Sequence, residues 1–187
     1  MAEPVPAEPA PGRALADIAE TDFGDLVRRH QSMVFSIALH FLADRPAAEE
    51  LAQDVFLQLH DNLATLKSEE HVKFWLRRVT AHRCIDYTRR RKLPQVSLDD
   101  VPELAMPEAA AAGRSADPLL ARRLRQFVAS LPEKPRVIVI LRFQEDLSAA
   151  DISKILAMPV ATVKSHLQRS LAMLREKITR AVGEVTP

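Results

Sequence analysis

The chain has little of what small-molecule enzymes and β-rich folds depend on: four glycines, one tyrosine, one tryptophan and one cysteine in 187 residues. So few glycines leave scant material for phosphate-cradling loops or the tight turns of a β-fold. The lone Cys84 excludes an internal disulfide and suits a reducing compartment, and a free cysteine of this kind is expected to be a small buried side chain. No stretch approaches 18 uninterrupted apolar residues, so no membrane insertion is expected. The N-terminus has neither the positive start nor the apolar run of a signal peptide, which together point to a cytoplasmic protein. No Ser-His-Asp, paired-carboxylate or phosphate-loop arrangement is legible, so catalytic residues are expected to be absent. His71, His82 and Cys84 lack the spacing of a tetrahedral metal site, and neither a metal nor another cofactor is expected.

What is abundant is helix-forming: 47% of the residues are apolar, in a background of Ala, Leu, Arg, Glu and Gln. The expected fold is all-α, with two small helical domains joined by a flexible linker. Residues 1–20, rich in Ala, Pro and Glu, read as a disordered tail. The first domain, 21–92, opens with Leu26, His30, Met33, Val34, Ile37, Phe41 and Leu42 at helical spacing. Asp44 is placed to cap a second helix, with Leu51, Val55, Phe56, Leu59 and Leu63 inward. Val72, Trp75, Leu76 and Val79 mark a third. Residues 93–116 combine prolines, alanines and acids and read as the linker. The second domain, 117–182, begins at Asp117-Pro118, a cap followed by proline at the first helical position. Val137 to Leu141 has the propensity of a buried strand, but no partner strand is evident, so a helix is expected.

The net charge is only +1, yet the local charge is uneven. From Lys73 to Lys92 there are eight Lys or Arg against one acid, Asp86. From Leu93 to Pro118 acids outnumber a single Arg. It is the local field that a phosphate backbone meets.

Near the C-terminus, Ser148-Ala149-Ala150-Asp151 opens a short helix. A four-residue break follows at Ala157 to Val160, and then a long basic helix from Ala161. This is a helix-turn-helix layout, whose second helix lies in the DNA major groove. In that helix Val163, Leu167, Leu171, Leu174 and Ile178 form the inward stripe. Lys164, Ser165, Gln168, Arg169 and Arg175 lie off it, with chemistry suited to guanine, adenine or phosphate. The plainer alternative is an ordinary solvated basic helix, against which the capped helix and tight turn argue. The segment from Lys73 to Lys92, a basic helix with interleaved aromatics, can hold a backbone and stack unpaired bases. Its plainer alternative makes Trp75 core and the Arg run a solvated helix end. The helix carrying Glu49, Glu50, Gln53 and Asp54 has an acidic, polar outer face that by itself indicates only a surface.

In order along the chain, the stretches AAEELAQDVFLQLHDNL, KFWLRRVTAHRCIDYTRRRK and LPEKPRVIVILRFQEDLSAADISKILAMPVATVKSHLQRSLAMLREKI resemble bacterial alternative sigma factors of the extracytoplasmic-function type. The resemblance implies that 21–92 corresponds to sigma region 2 and 117–182 to region 4. It implies that Glu50, Gln53, Asp54, Phe56 and His60 dock on the clamp coiled coil of core RNA polymerase. By the same resemblance, Lys67, His71, Arg77, His82, Arg89 and Arg90 handle the −10 element, from a loop at Lys67 to Lys73 and the helix after it. Thr162, Lys164, Ser165, His166, Gln168 and Arg169 are implied to read the −35 element. The linker would run through the polymerase near the RNA path, and an anti-sigma factor is a further implied partner. The chain departs from many relatives in having Ala157 and Ala161 for Gly, His166 for Arg and His82 for Asn. Core RNA polymerase and promoter DNA are therefore the expected partners. A stand-alone helix-turn-helix regulator would explain the C-terminal half but neither the Trp-Asp-Arg helix nor the acidic one. A helical enzyme finds no support in the residues.

Overall fold

The computed structural model describes residues 23–92 and 118–183. The expected N-terminal tail and linker lie outside them. Among the described residues there are seven α-helices and no strand. In the first group, α1 is Phe23–Leu42, α2 is Arg45–Asn62, followed by a 3-10 turn at Leu63–Thr65, and α3 is Glu69–Lys92. The second group holds α4 at Pro118–Ala129, α5 at Glu133–Phe143, α6 at Ala149–Leu156 and α7 at Val160–Gly183.

Local chemistry explains the boundaries. Asp44 caps α2, its side chain accepting from the Ala47 amide at 3.1 Å, with a proline at the start of the helix. Ser68 does the same for α3, its hydroxyl accepting from the His71 amide at 3.1 Å. Glu69 and Glu70 then sit in the first turn, where acids oppose the helix dipole. The expected loop from Lys67 to Lys73 is therefore corrected. Only Lys67 and Ser68 precede the helix, because the Ser-Glu-Glu sequence is itself a helix start. Ser148 caps α6, accepting from the Asp151 amide at 3.1 Å.

The apolar stripe of α1 is buried at Leu26, His30, Val34, Ile37 and Phe41. It meets Leu51, Val55 and Leu59 of α2 and Val72, Leu76 and Cys84 of α3 in one apolar cluster. Side chains such as Phe41, Leu59 and Leu76 each contribute about 1.5–3 kcal/mol by leaving water. Val137 to Leu141 is a helical run buried at every position. It packs on α7 and α6 on one side and on α1 and α3 on the other. A helix enclosed all round needs no polar face, which is why its sequence looks like a strand.

The two helical groups are packed together. Helix α3 lies against α5 and α6, and α1 against α4 and α5. The cluster that holds Val34, Val72 and Leu76 continues into Ile138, Leu141, Ile152 and Ile155. Across the junction the Arg136 guanidinium donates to the Phe41 carbonyl at 2.9 Å and lies 5.1 Å over its ring.

Candidate polymerase and nucleic-acid interfaces

The acidic strip on α2 is built by a simple alternation. Ala48, Leu51, Val55 and Leu59 are buried, which turns Glu49, Glu50, Gln53 and Asp54 outward. Glu50 and Asp54 form one wall of a cleft whose other wall is Arg83, Asp86, Arg90 and Arg91 of α3. Beside the strip is an open apolar hollow of about 670 Å³ between α1 and α2, lined by Phe23, Val27, Phe35, Ala52, Phe56 and Leu57 among others. The His60 ring lies 5.2 Å from that of Phe23, one of the lining residues, and edge-on to it. The sequence reasoning missed this hollow. Leu57, 66% exposed, was the available signal. It lies midway between the inward Val55 and Leu59, so a helix must point it away from the core.

Lys67, just before α3, and His71, His82, Arg89 and Arg90 on it are all exposed. The His82 ring lies 2.7 Å from the Arg78 carbonyl through Nδ1, so that nitrogen carries the donating hydrogen. Trp75 is half-buried against the core. Arg77 stands apart from the others: its guanidinium donates twice to Glu145 Oε2, at 2.9 and 2.8 Å, and both side chains are largely covered. Arg89 lies 3.6 Å from Glu133. These acids belong to the second helical group, more than forty residues further along the chain. No local pattern in the sequence pairs them with arginines of the first. Cys84, fully buried among apolar neighbours, has its thiol pushed up to about 12 by that burial.

The helix-turn-helix consists of α6, a three-residue turn from Ala157 to Pro159, and α7. Val163 is fully buried and Leu174 nearly so, while Thr162, Lys164, Ser165, Gln168 and Arg169 are exposed. His166 is half-buried. One stripe position is corrected. Leu171 is 37% exposed and the buried residue is Ser170. At about 100° per residue, position 170 falls about 20° from Val163 and position 171 about 80° from it. The small Ser170 also turns its hydroxyl back to the His166 carbonyl at 2.7 Å, satisfying itself without an outside partner.

Residues 26–93 match the family described as Sigma-70 region 2, and residues 121–174 match Sigma-70, region 4. The chain is a sigma factor of the extracytoplasmic-function type. Curated relatives agree. The RNA polymerase sigma-E factor of Streptomyces coelicolor is 31% identical over 157 residues, covering 84% of this chain and 86% of the relative. The ECF RNA polymerase sigma factor SigW of Bacillus subtilis is 26% identical over 170 residues, covering 83% and 88%. Two solved structures share the fold. One is the sigma factor RpoE of Bartonella quintana, in complex with the anti-sigma factor NepR, with a TM-score of 0.68 and 18% identity over 84% of this chain and 97% of that one. The other is CnrH in complex with the cytosolic domain of CnrY, with a TM-score of 0.64 and 20% identity over 89% and 95%. As a sigma factor the chain recognises promoters in transcription initiation. The presence of both regions in one chain disfavours a stand-alone helix-turn-helix regulator. Among the described residues no helix is long and apolar enough to cross a membrane.

Proposed function

We propose that this sigma factor divides its work among three surfaces. Glu50, Gln53, Asp54, Phe56 and His60, extended by the exposed Leu57, form the dock for core RNA polymerase. The observation that carries this is the outward acidic strip beside an unfilled apolar hollow. Charge steers the encounter and the hollow supplies desolvated contact area.

Residues Lys67, His71, Arg77, His82, Arg89 and Arg90 handle the −10 element as single strand, with positive charge for the backbone. Residues Thr162, Lys164, Ser165, Gln168 and Arg169 face the −35 duplex, supported by their exposure along one side of α7. His166 is more enclosed than the others and fits a contact to the phosphate backbone at the edge of the groove. The functional units are 21–92 and 117–182, joined by 93–116, behind a tail at 1–20. The protein acts in the cytoplasm, where polymerase and promoter are, and an anti-sigma factor is a further partner, as in the RpoE–NepR complex named above.

A gel-shift and run-off experiment tests the reading. The chain alone should leave promoter DNA unshifted. With core polymerase it should give a shifted complex and promoter-specific transcripts. A sequence-specific shift by the chain alone, unaffected by core enzyme, would overturn it.

A further inference from the structure

The hollow between α1 and α2 gathers apolar surface that nothing among the described residues covers. Phe23, Val27, Phe35 and Phe56 are half-buried along it, and Leu57 is exposed. Among the described residues that line it none is charged; the polar ones are Gln31, Ser32 and Gln53. A contiguous patch of this kind marks a contact site, and its lining calls for an apolar occupant rather than an ionic one.

The chain itself carries a segment of that chemistry at the edge of the hollow. Phe23 is both a lining residue and the first residue of α1, so the preceding 22 residues emerge at the rim. They change character at Gly12. Prolines stand at 4, 6, 9 and 11, and none follows before Phe23. Residues 13–20 read Arg-Ala-Leu-Ala-Asp-Ile-Ala-Glu, and all but Asp17 and Ile18 are strong helix formers. Leu15, Ile18 and Ala19 recur at i, i+3 and i+4, the anchor spacing of a helix laid into a groove. Asp17 and Glu20 fall off that stripe. Thr21 and Asp22 separate the segment from α1, a length that joins two antiparallel helices. Asp22 stands at the cap position of α1, where the backbone leaves the helical course and the chain can turn. From Phe23 to Phe35 the lining side of α1 spans about 18 Å, and eight helical residues span about 12 Å. Folded back, the segment therefore lies beside Val27 and Gln31.

We infer that residues 13–20 fold back along α1 as a short helix and set Leu15 and Ile18 into the hollow. Eight residues are too few to hold a helix alone in water, so the segment orders only against that surface. The short connection makes a modest contact sufficient. At an effective concentration of about 1 mM, a contact with a Kd of about 0.1 mM between separate molecules is closed in about nine chains of ten. The consequence for polymerase rests on the dock proposed above. A tail in the hollow and polymerase on the same surface exclude each other, so closure of that extent weakens apparent polymerase affinity about tenfold.

The test is a photocrosslink in the full chain, with p-benzoylphenylalanine in place of Ala19 and no polymerase or DNA present. The expected adduct lies within one chain, in the peptides that carry Val27 to Phe35 of α1 or Ala52 to Leu57 of α2. It should survive dilution and disappear when Leu15→Asp and Ile18→Asp are introduced together, with unchanged helical circular dichroism. No adduct, an adduct elsewhere, one that joins two chains, or one that persists in the double variant would each overturn the inference. Titration of core polymerase then reads the competition. Leu15→Asp with Ile18→Asp, in a chain otherwise unaltered, should tighten binding about tenfold. The expected adduct with unaltered polymerase affinity would keep the tail in the hollow and remove the polymerase dock from it, so the two readings fail separately.

Discussion

Replacing Ala157 with Gly should stabilise this sigma factor, and the reason is a backbone conformation at the turn of the DNA-reading motif. Ala157 ends α6 in the left-handed region, at φ 49° and ψ 49°, with its amide bonded to the Ser153 carbonyl. The Met158 amide reaches the same carbonyl at 3.1 Å, and the Ser153 hydroxyl donates to the Met158 carbonyl at 2.6 Å. None of these bonds uses the alanine side chain, which is exposed, so glycine keeps all of them. A Cβ in this region costs about 1–2 kcal/mol. Glycine gives back about 0.4–1 kcal/mol through the greater freedom of the unfolded chain. The net gain is about 0.8 kcal/mol, which at a slope of about 2 kcal/mol/M moves the urea midpoint up by about 0.4 M. Urea titration followed by circular dichroism reads this directly. Ala43→Gly, at φ 55° after α1, should also stabilise. Ala172→Gly, exposed within α7, should cost about 1 kcal/mol. A destabilised or unshifted Ala157→Gly, with Ala172→Gly behaving as stated, would refute the reasoning.

Stability should fall below neutral pH because of His30, whose Nε2 is buried without a hydrogen-bond partner. Burial holds its pKa below the ordinary 6.5, with Glu69 opposing and Lys73, Arg29 and Arg77 reinforcing the shift. The unfolded chain then takes up a proton that the folded one refuses. Stability is complete above about pH 6.5 and is lost as pH drops from there towards the folded-state value. Denaturant titrations at several pH values should show this slope flattened in His30→Leu; an unchanged slope would assign it elsewhere. Asp54→Arg should abolish retention by core polymerase in a pull-down while changing fold stability by under about 0.5 kcal/mol, since the site is on the surface. Leu57→Asp should weaken retention in the same assay, and full binding by both variants would sink the dock. Arg169→Ala should cost about 1–3 kcal/mol at one −35 position if it reads a base. A uniform loss across sequences, with the salt slope shallower by about 0.9, would mean a phosphate contact instead, and single-base promoter variants at two salt concentrations separate the two.

Much of this protein is written locally in its sequence. Helix starts at Asp44 and Ser148 need only a side-chain oxygen within three residues of an unpaired amide. The inward stripes of α1 and α2 follow from residue spacing alone, as does the exposure of Lys164, Ser165, Gln168 and Arg169. These choices rest on interactions within one or two turns, so a linear reading finds them. Tertiary structure decided the rest. Val137 to Leu141 is helical because neighbours enclose it on all sides. Ser170 rather than Leu171 is buried because packing selects among positions only about 100° apart. The hollow beside Leu57 exists only where two helices diverge. The pairing of Arg77 with Glu145 joins residues 68 positions apart. Contacts of that range depend on how whole helices are oriented, which no local spacing in this chain encodes.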